Sequence, residues 1–233
     1  EALLAFAARS GAPVAAAWRR QDVLDNLCPA YVGHVGLGPD PALAEHVRQA
    51  DLLLVAAARL GENTSSGYRL FAPPAPHAPL VHIHPDPAEI GAVHAAEVPL
   101  AGDPGETLAA LAARDLGDAA ARAGWRDELR AGYEAFSGAL ADPGPLQLAE
   151  AVGHVAARLP EATICNGAGN YAIWVHRFFA YRRFGQQIAP QSGSMGYGLP
   201  AALGVALARP GQPVVAFAGD GCAVIGIQEL ATI

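Results

Sequence analysis

Charge is scarce in this sequence, as are cysteine and any long apolar run. Charged residues are 16% of the chain against 52% hydrophobic ones, and the formal net charge is -7. That balance excludes a basic nucleic-acid surface and one built to meet anionic lipid. Cys28, Cys165 and Cys222 are odd in number and far apart, with no CxxC pair. They exclude a disulfide framework and a cysteine zinc site, and they suit a reducing compartment, so a cytoplasmic location is expected. No apolar stretch reaches membrane-spanning length, and the opening residues carry no signal-peptide pattern. Methionine occurs once, at Met195, and Glu1 to Phe6 starts within a helical pattern, so a piece of a longer protein is expected.

What is present points to a ligand site. The 233 residues suffice for one large or two modest cores. The stretch from Pro213 to Leu230 organises the reading. Val214 to Ala218 is apolar, β-branched and bounded by Pro and Gly, which predicts a buried parallel strand. Gly219-Asp220-Gly221 then breaks it, and helical spacing begins at Ala223. This strand, turn and helix put a carboxylate at the strand's carboxyl edge, where open α/β sheets bind ligands. The glycines let a ligand approach the backbone, and free amides of the next helix face an anion. The segment holds no Lys or Arg and lacks the Gly-Lys-Ser/Thr of a P-loop. Asp220 is therefore a candidate ligand for a hard divalent cation such as Mg2+, which bridges carboxylate and phosphate oxygens. The plainer alternative is a helix cap.

Taken in order, the chain alternates helices and strands. Helices are expected at Glu1–Arg9, Pro41–Ala50 and Pro104–Ala113, with a short one capped at Asp86-Pro87. Strands are expected at Pro13–Trp18, Asp51–Ala56, Leu80–His84 and Val98–Ala101, and Val32–Gly38 reads as a Gly-rich turn region. Such alternation implies a parallel, doubly wound domain over residues 1–115. Residues 116–144 read as a linker with an exposed helix at Ala119–Gly138, and Asp142 to Pro145 mark the boundary. Residues 145–233 open a second domain, with a helix at Leu146–Leu159 and a strand at Ala162–Cys165. The fold class is thus α/β, with two doubly wound parallel-sheet domains.

Two other patterns compete. Gly167, Gly169 and Ala172 fit the Gly-x-Gly-x-x-Ala dinucleotide signature, which would predict an NAD(P)-dependent oxidoreductase. An acidic residue for the ribose should follow about twenty positions on, yet no Asp or Glu lies between Glu161 and Asp220. Arg182 and Arg183 are poorly spaced for a 2′-phosphate. His77, His82, His84 and His94 suggest a metal, since alternation puts His82 and His84 on one strand face. No third ligand is evident, and a strand end with partly solvated imidazoles is the plainer account.

Gly219-Asp220-Gly221 followed by Ile227-Gln228-Glu229-Leu230-Ala231-Thr232 resembles the diphosphate-binding motif of thiamine diphosphate (ThDP) enzymes, particularly the acetolactate synthase-like branch. Gly193-Ser194-Met195-Gly196-Tyr197-Gly198-Leu199-Pro200 resembles a second segment of that family, at the family's usual separation. Residues Glu1 to about Ala113 resemble its central domain, including Ala58-Arg59-Leu60-Gly61 and His82 to Gly91. In relatives that Rossmann-like domain holds FAD, ADP or neither, so FAD stays open here. The resemblance implies that Asp220 ligates Mg2+ and that amides of Gly221 and Cys222, next to Gly219, meet the diphosphate. Gly169, Asn170 and Tyr171 would offer further groups to it. Gly193 O would accept from the cofactor's amine, Ser194 would lie beside its aminopyrimidine, and Met195 would wedge beneath it. Acetolactate synthases carry His and Gln where this chain has Tyr171 and Ala172, so the departure bears on the substrate more than on the cofactor.

The implied activity is a ThDP- and Mg2+-dependent carboligase or decarboxylase acting on small-molecule 2-oxo acids, with condensation of two pyruvates as the first choice. Benzoylformate decarboxylase-, glyoxylate carboligase- and C–C hydrolase-like reactions stay open, as does a non-catalytic nucleotide-binding module. No catalytic residue is expected within this chain. The activating Glu belongs to a pyrimidine-binding domain expected before Glu1, and the Asn completing the metal site is expected beyond Ile233. These residues alone are expected neither to catalyse nor to hold Mg-ThDP well. A homodimer or homotetramer is expected of the whole protein.

Overall fold

The structure is a computed structural model that describes residues 1–138, 140–141 and 144–232. The chain forms two compact units, one of Glu1–Trp18 with Pro29–Tyr133, the other of Arg19–Cys28 with Glu134–Ile233.

In the first unit, α1 (Ala2–Ser10) stops where Gly11 takes the left-handed region at φ 70° and returns its N–H to Ala7 O. β1 (Val14–Ala16) pairs in parallel with β2 (Tyr31–His34). Residues 31–34 are a fully buried strand rather than part of a turn region. Tyr31 and Val32 supply strand propensity and burial, and Gly33, at φ 110°, lets Leu43 and Tyr133 close on the backbone. α2 (Pro41–Gln49) is started by Pro41 and by Asp40, whose carboxylate accepts from Ala42 N at 2.9 Å. β3 (Leu53–Ala56), β4 (Leu80–His84) and β5 (Val98–Ala101) form a parallel sheet in that order. α3 (Pro104–Ala112) is capped by Asp103, which accepts from Glu106 N at 2.8 Å.

α4 (Ala119–Phe136) forms within the expected helix at 119–138 and is largely unburied, but it is docked along one seam rather than free. Leu129, 6% exposed, packs with Val32 and Leu43. Trp125 Nε1 donates to His46 Nδ1 at 3.1 Å, and Arg130 donates to Tyr31 O at 3.0 Å. One apolar seam thus docks a helix whose composition is otherwise polar. The Asp142–Pro145 boundary lies partly outside the described residues, as do Ala139 and Ile233.

In the second unit, α5 (Leu148–Arg158), β6 (Thr163–Asn166), α6 (Tyr171–Phe178), β7 (Gln187–Ile188), α7 (Gly198–Ala208), β8 (Val214–Phe217) and α8 (Asp220–Gly226) follow in turn. The parallel sheet runs β7-β6-β8. Its core gathers Val152, Ile164, Val175, Phe179 and Tyr181. β8 is not the buried strand that its composition predicts. Most of it is half-exposed, because β6 is its one hydrogen-bonded neighbour among the described residues. α8 also starts at Asp220 rather than at Ala223. Both units are α/β with parallel strands.

Candidate functional site

Strand order locates the site. From β6 the chain moves to β7 on one side, then crosses to β8 on the other. Where winding reverses in this way, the loops leaving the carboxyl ends of the two strands diverge, and a crevice opens between them. Here those loops are Gly167–Asn170, after β6, and Ala218–Gly219, after β8.

Close glycine contacts gather three segments there. A Cβ on Gly198 would stand 2.7 Å from Gly167 N and 2.9 Å from Asn166 C, so α7 rests directly on the end of β6. A Cβ on Gly221 would stand 3.3 Å from Met195 Cε, which brings the Gly193–Gly198 segment against the Gly219–Cys222 turn. The ring of Tyr171 lies between the two glycine turns. A Cβ on Gly169 would come within 2.8 Å of it, and one on Gly219 within 3.1 Å. Gly167 N donates to Tyr171 Oη at 3.0 Å. Burial first, then the neighbouring Cys222, pushes the Tyr171 phenol up to about 12, so it stays neutral.

The predicted site residues fall into two sets. Gly169, Tyr171, Met195, Gly219, Gly221 and Cys222 are drawn together by the contacts above and by Cys222 Sγ, which donates to Ala168 O at 2.7 Å. That bond turns the buried thiol away from solvent. Asn170, Gly193 and Ser194 sit on the loops without such packing. Asn170 precedes α6 and makes no capping bond; Ser194 Oγ meets Ser192 Oγ at 2.8 Å; Gly193, at φ 75°, donates to Pro190 O at 3.1 Å.

Asp220 is exposed, and its carboxylate takes no hydrogen bond from the described residues. Gly219 occupies the N-cap position and Asp220 is the first helical residue, so the helix-cap alternative does not hold. Among the described residues the carboxylate stands exposed and unengaged at the start of α8.

The fold also brings in a cation that the local sequence lacks. Arg19, 148 residues before Gly167, donates through Nη2 to Gly167 O at 3.2 Å and through Nη1 to Pro190 O. Asn166 Nδ2 donates to the same Gly167 carbonyl at 2.9 Å. Arg19 is 3% exposed, and desolvation lowers its pKa from the ordinary arginine value. Its neighbours extend the connection. Asp22 accepts from Gly185 N at 2.8 Å and Gln187 N at 3.1 Å, and Asn26 exchanges two 2.8 Å bonds with the Tyr181 backbone. Sequence reasoning missed this segment because its mixed charges fit neither a helix nor a strand period, and such runs are ordinarily solvated loops.

The histidine pattern resolves differently. His82 and His84 share a face of β4 with ring centroids 6.0 Å apart, but their ring nitrogens engage the backbone. His82 Nε2 donates to Ala58 O at 3.0 Å, and His84 Nδ1 receives Asp86 N–H at 3.1 Å. Among the described residues no three His, Cys, Asp or Glu side chains are placed to hold a metal. Arg59, Gly61, His82, Glu89 and His94 line a cleft of about 160 Å³ in the first unit. It is well below the ~300 Å³ at which pockets for drug-sized ligands begin. No helix among the described residues is long and apolar enough to cross a membrane.

Residues 1–111 match the family model described as thiamine pyrophosphate enzyme, central domain, and residues 167–233 match its C-terminal TPP binding domain. The acetolactate synthase large subunit of Corynebacterium glutamicum is 30% identical over 245 residues, and the acetolactate synthase isozyme 2 large subunit of Escherichia coli is 29% identical over 239. Both alignments take in 100% of this chain and 38% and 41% of those proteins, so the chain spans well under half of their length. A probable chloroplastic acetolactate synthase 2 of Oryza sativa is 32% identical over 202 residues, covering 80% of this chain and 29% of that protein. The glycine crevice therefore lies in a domain described as binding thiamine pyrophosphate, and the chain belongs to the thiamine pyrophosphate-dependent enzyme family, similar along its whole length to acetolactate synthase large subunits.

Proposed function

We propose that this chain carries the diphosphate-holding part of a ThDP- and Mg2+-dependent carboligase or decarboxylase of 2-oxo acids, with acetolactate synthase-like condensation of pyruvate as its reaction. The observation that carries the reading is Asp220, an exposed carboxylate that neither caps α8 nor, among the described residues, pairs with another group, set between two glycines at the winding reversal. A hard cation needs such an oxygen ligand, and a diphosphate needs that cation's charge.

The residues fit the group. Gly221 and Cys222 would offer backbone amides only, since the thiol is engaged with Ala168 O. The Tyr171 hydroxyl already gives Gly167 N–H an oxygen partner at the edge where Gly169 and Asn170 would meet the cofactor. Gly193 keeps a carbonyl, Ser194 an exposed hydroxyl and Met195 an exposed side chain beside Gly221, as support for the cofactor's ring. When bound, ThDP supplies the carbon nucleophile and the electron sink. This chain's own residues bind its tail, orient it and hold the cation.

The test uses the full-length protein. Calorimetric titration with ThDP and Mg2+ should show saturable binding that Asp220→Asn weakens by about two orders of magnitude, at or beyond the upper end of what supporting-shell substitutions cost. A panel of pyruvate, 2-oxobutyrate, benzoylformate and glyoxylate, scored for CO2 and product, then assigns donor and acceptor. Unchanged affinity in Asp220→Asn removes the metal role. Saturable NAD(P) binding without Mg2+ dependence would replace the reading with the oxidoreductase one.

A further inference from the structure

The roots of the two candidate cofactor loops are joined by a residue from far upstream. Gly167 begins the turn that carries Gly169 to Tyr171. Pro190 begins the loop that carries Gly193 to Met195, and its carbonyl also accepts from Gly193 N at 3.1 Å. Both carbonyls receive the guanidinium of Arg19, from Nη2 and Nη1 respectively. A planar guanidinium presents its donors in a fixed fork, so two acceptors bound to it are held at a set spacing; an ammonium has no such geometry.

We propose that Arg19 is a positioning residue of the cofactor crevice, setting the separation of the Gly167–Tyr171 turn and the Pro190–Met195 loop by bridging the Gly167 and Pro190 carbonyls. Three features support a built arrangement. Arg19 is buried to 3% exposure, a costly location for a guanidinium unless its bonds are made. Its backbone sits at φ 55°, a left-handed conformation that the surroundings must impose on a non-glycine residue. Its segment is pinned three residues on by Asp22, which accepts from two amides at and before β7, so the fork cannot drift along the sheet edge. Gln21 and Gln187 line this segment with buried amide nitrogens that find no partner among the described residues, a polar layer rather than an apolar core. Arg19 contacts neither cofactor nor substrate in this account; it acts through the two loops.

The affinity readout rests on the thiamine diphosphate reading above, whereas a second readout does not. In the full-length protein, wild type, Arg19→Met and Arg19→Lys are compared by amide hydrogen exchange over 167–171 and 190–197, and by calorimetric titration with ThDP and Mg2+. Arg19→Met is expected to speed exchange in both loops together, leave exchange in α5 and β6 near wild type, and weaken ThDP binding by about 10–100-fold, the range for lost supporting partners. Arg19→Lys is expected to keep the melting temperature of wild type without restoring slow exchange or affinity, and added guanidinium ion to restore part of the affinity of Arg19→Met. Wild-type exchange in both loops of either variant overturns the proposal, as does faster exchange spread evenly over the unit. If Arg19→Met does not fold, the Arg19→Lys exchange pattern decides. Failure of wild type to bind ThDP sinks the functional reading alone, and the exchange comparison still decides the role of Arg19.

Discussion

Two parallel sheets of three strands each occur in this chain, and they differ in how they are wound. β3, β4 and β5 lie in sequence order, each crossover adding a strand on the same side. β7, β6 and β8 reverse at β6. In the first sheet no winding reversal separates the loops, and the polar groups at its edge answer the backbone: His82 holds Ala58 O and His84 takes Asp86 N–H. In the second, glycines line the divergence and Asp220 stays unengaged. The same α/β materials thus give an edge whose polar groups meet its own backbone in one unit and a candidate binding edge at the winding reversal in the other. A second contrast concerns acids. Asp40 and Asp103 cap helices at the surface of the first unit, whereas Asp22 is 1% exposed and joins a remote segment to β7.

The contrast between acids gives the largest expected effect. Asp22→Ala leaves the buried Gln187 amide and the part-buried Gly185 amide unsatisfied and should cost about 2–4 kcal/mol, about 1–3 for the buried group and less for the other. Asp103→Ala removes one surface cap and should cost about 1 kcal/mol. Urea unfolding of the full-length protein measures both, and equal losses would erase the distinction.

His34, on β2, tests the first unit alone. Burial lowers its pKa to about 4, so it is neutral in the fold, while the unfolded chain binds a proton below about 6.5. The stability it supports is therefore complete above about pH 6.5 and is lost as pH falls towards 4, about 3 kcal/mol over that window. Unfolding free energies at pH 7, 5.5 and 4 should show this slope, and His34→Gln should flatten it. A slope unchanged by the substitution would place the titration elsewhere.

Two glycines of α7 give effects below those of Asp22 and His34. Gly198→Ala drives a methyl into the backbone of Gly167 and Asn166 and should cost about 1–3 kcal/mol. Gly204→Ala meets nothing within 4 Å and should gain about 0.5–1 kcal/mol from helix propensity. Melting temperatures of the pair, read beside ThDP affinity, show whether the glycine packing serves the crevice or only the helix. Both should tolerate cofactor equally if the crevice is not the site.

Local signals carried much of this fold into view. Pro41, Asp86-Pro87 and Pro104 marked three helical starts, because a preset φ, and at Asp86 a capping carboxylate, act within a few residues. Gly219-Asp220-Gly221 marked the end of a strand, because glycine interrupts a strand through its own backbone freedom. Tyr31–His34 was obscured by Gly33 and by Gly36 and Gly38 beyond it, since what makes it a strand is burial between elements distant in sequence. α4 read as a linker because its one apolar seam is sparse, and only the partners Val32 and Leu43 show that Leu129 is core.

By itself the sequence determined the α/β alternation, the glycine turns and the identity of the carboxylate between them, all set by backbone preference and short-range pattern. Tertiary structure alone decided that Asp220 does not cap its helix, that Tyr171 fills the space between two turns, and that Arg19 reaches a loop 148 residues away. Those outcomes depend on which carbonyls and rings the packed sheet brings within hydrogen-bonding distance, and a distance across the fold leaves no periodic mark along the chain.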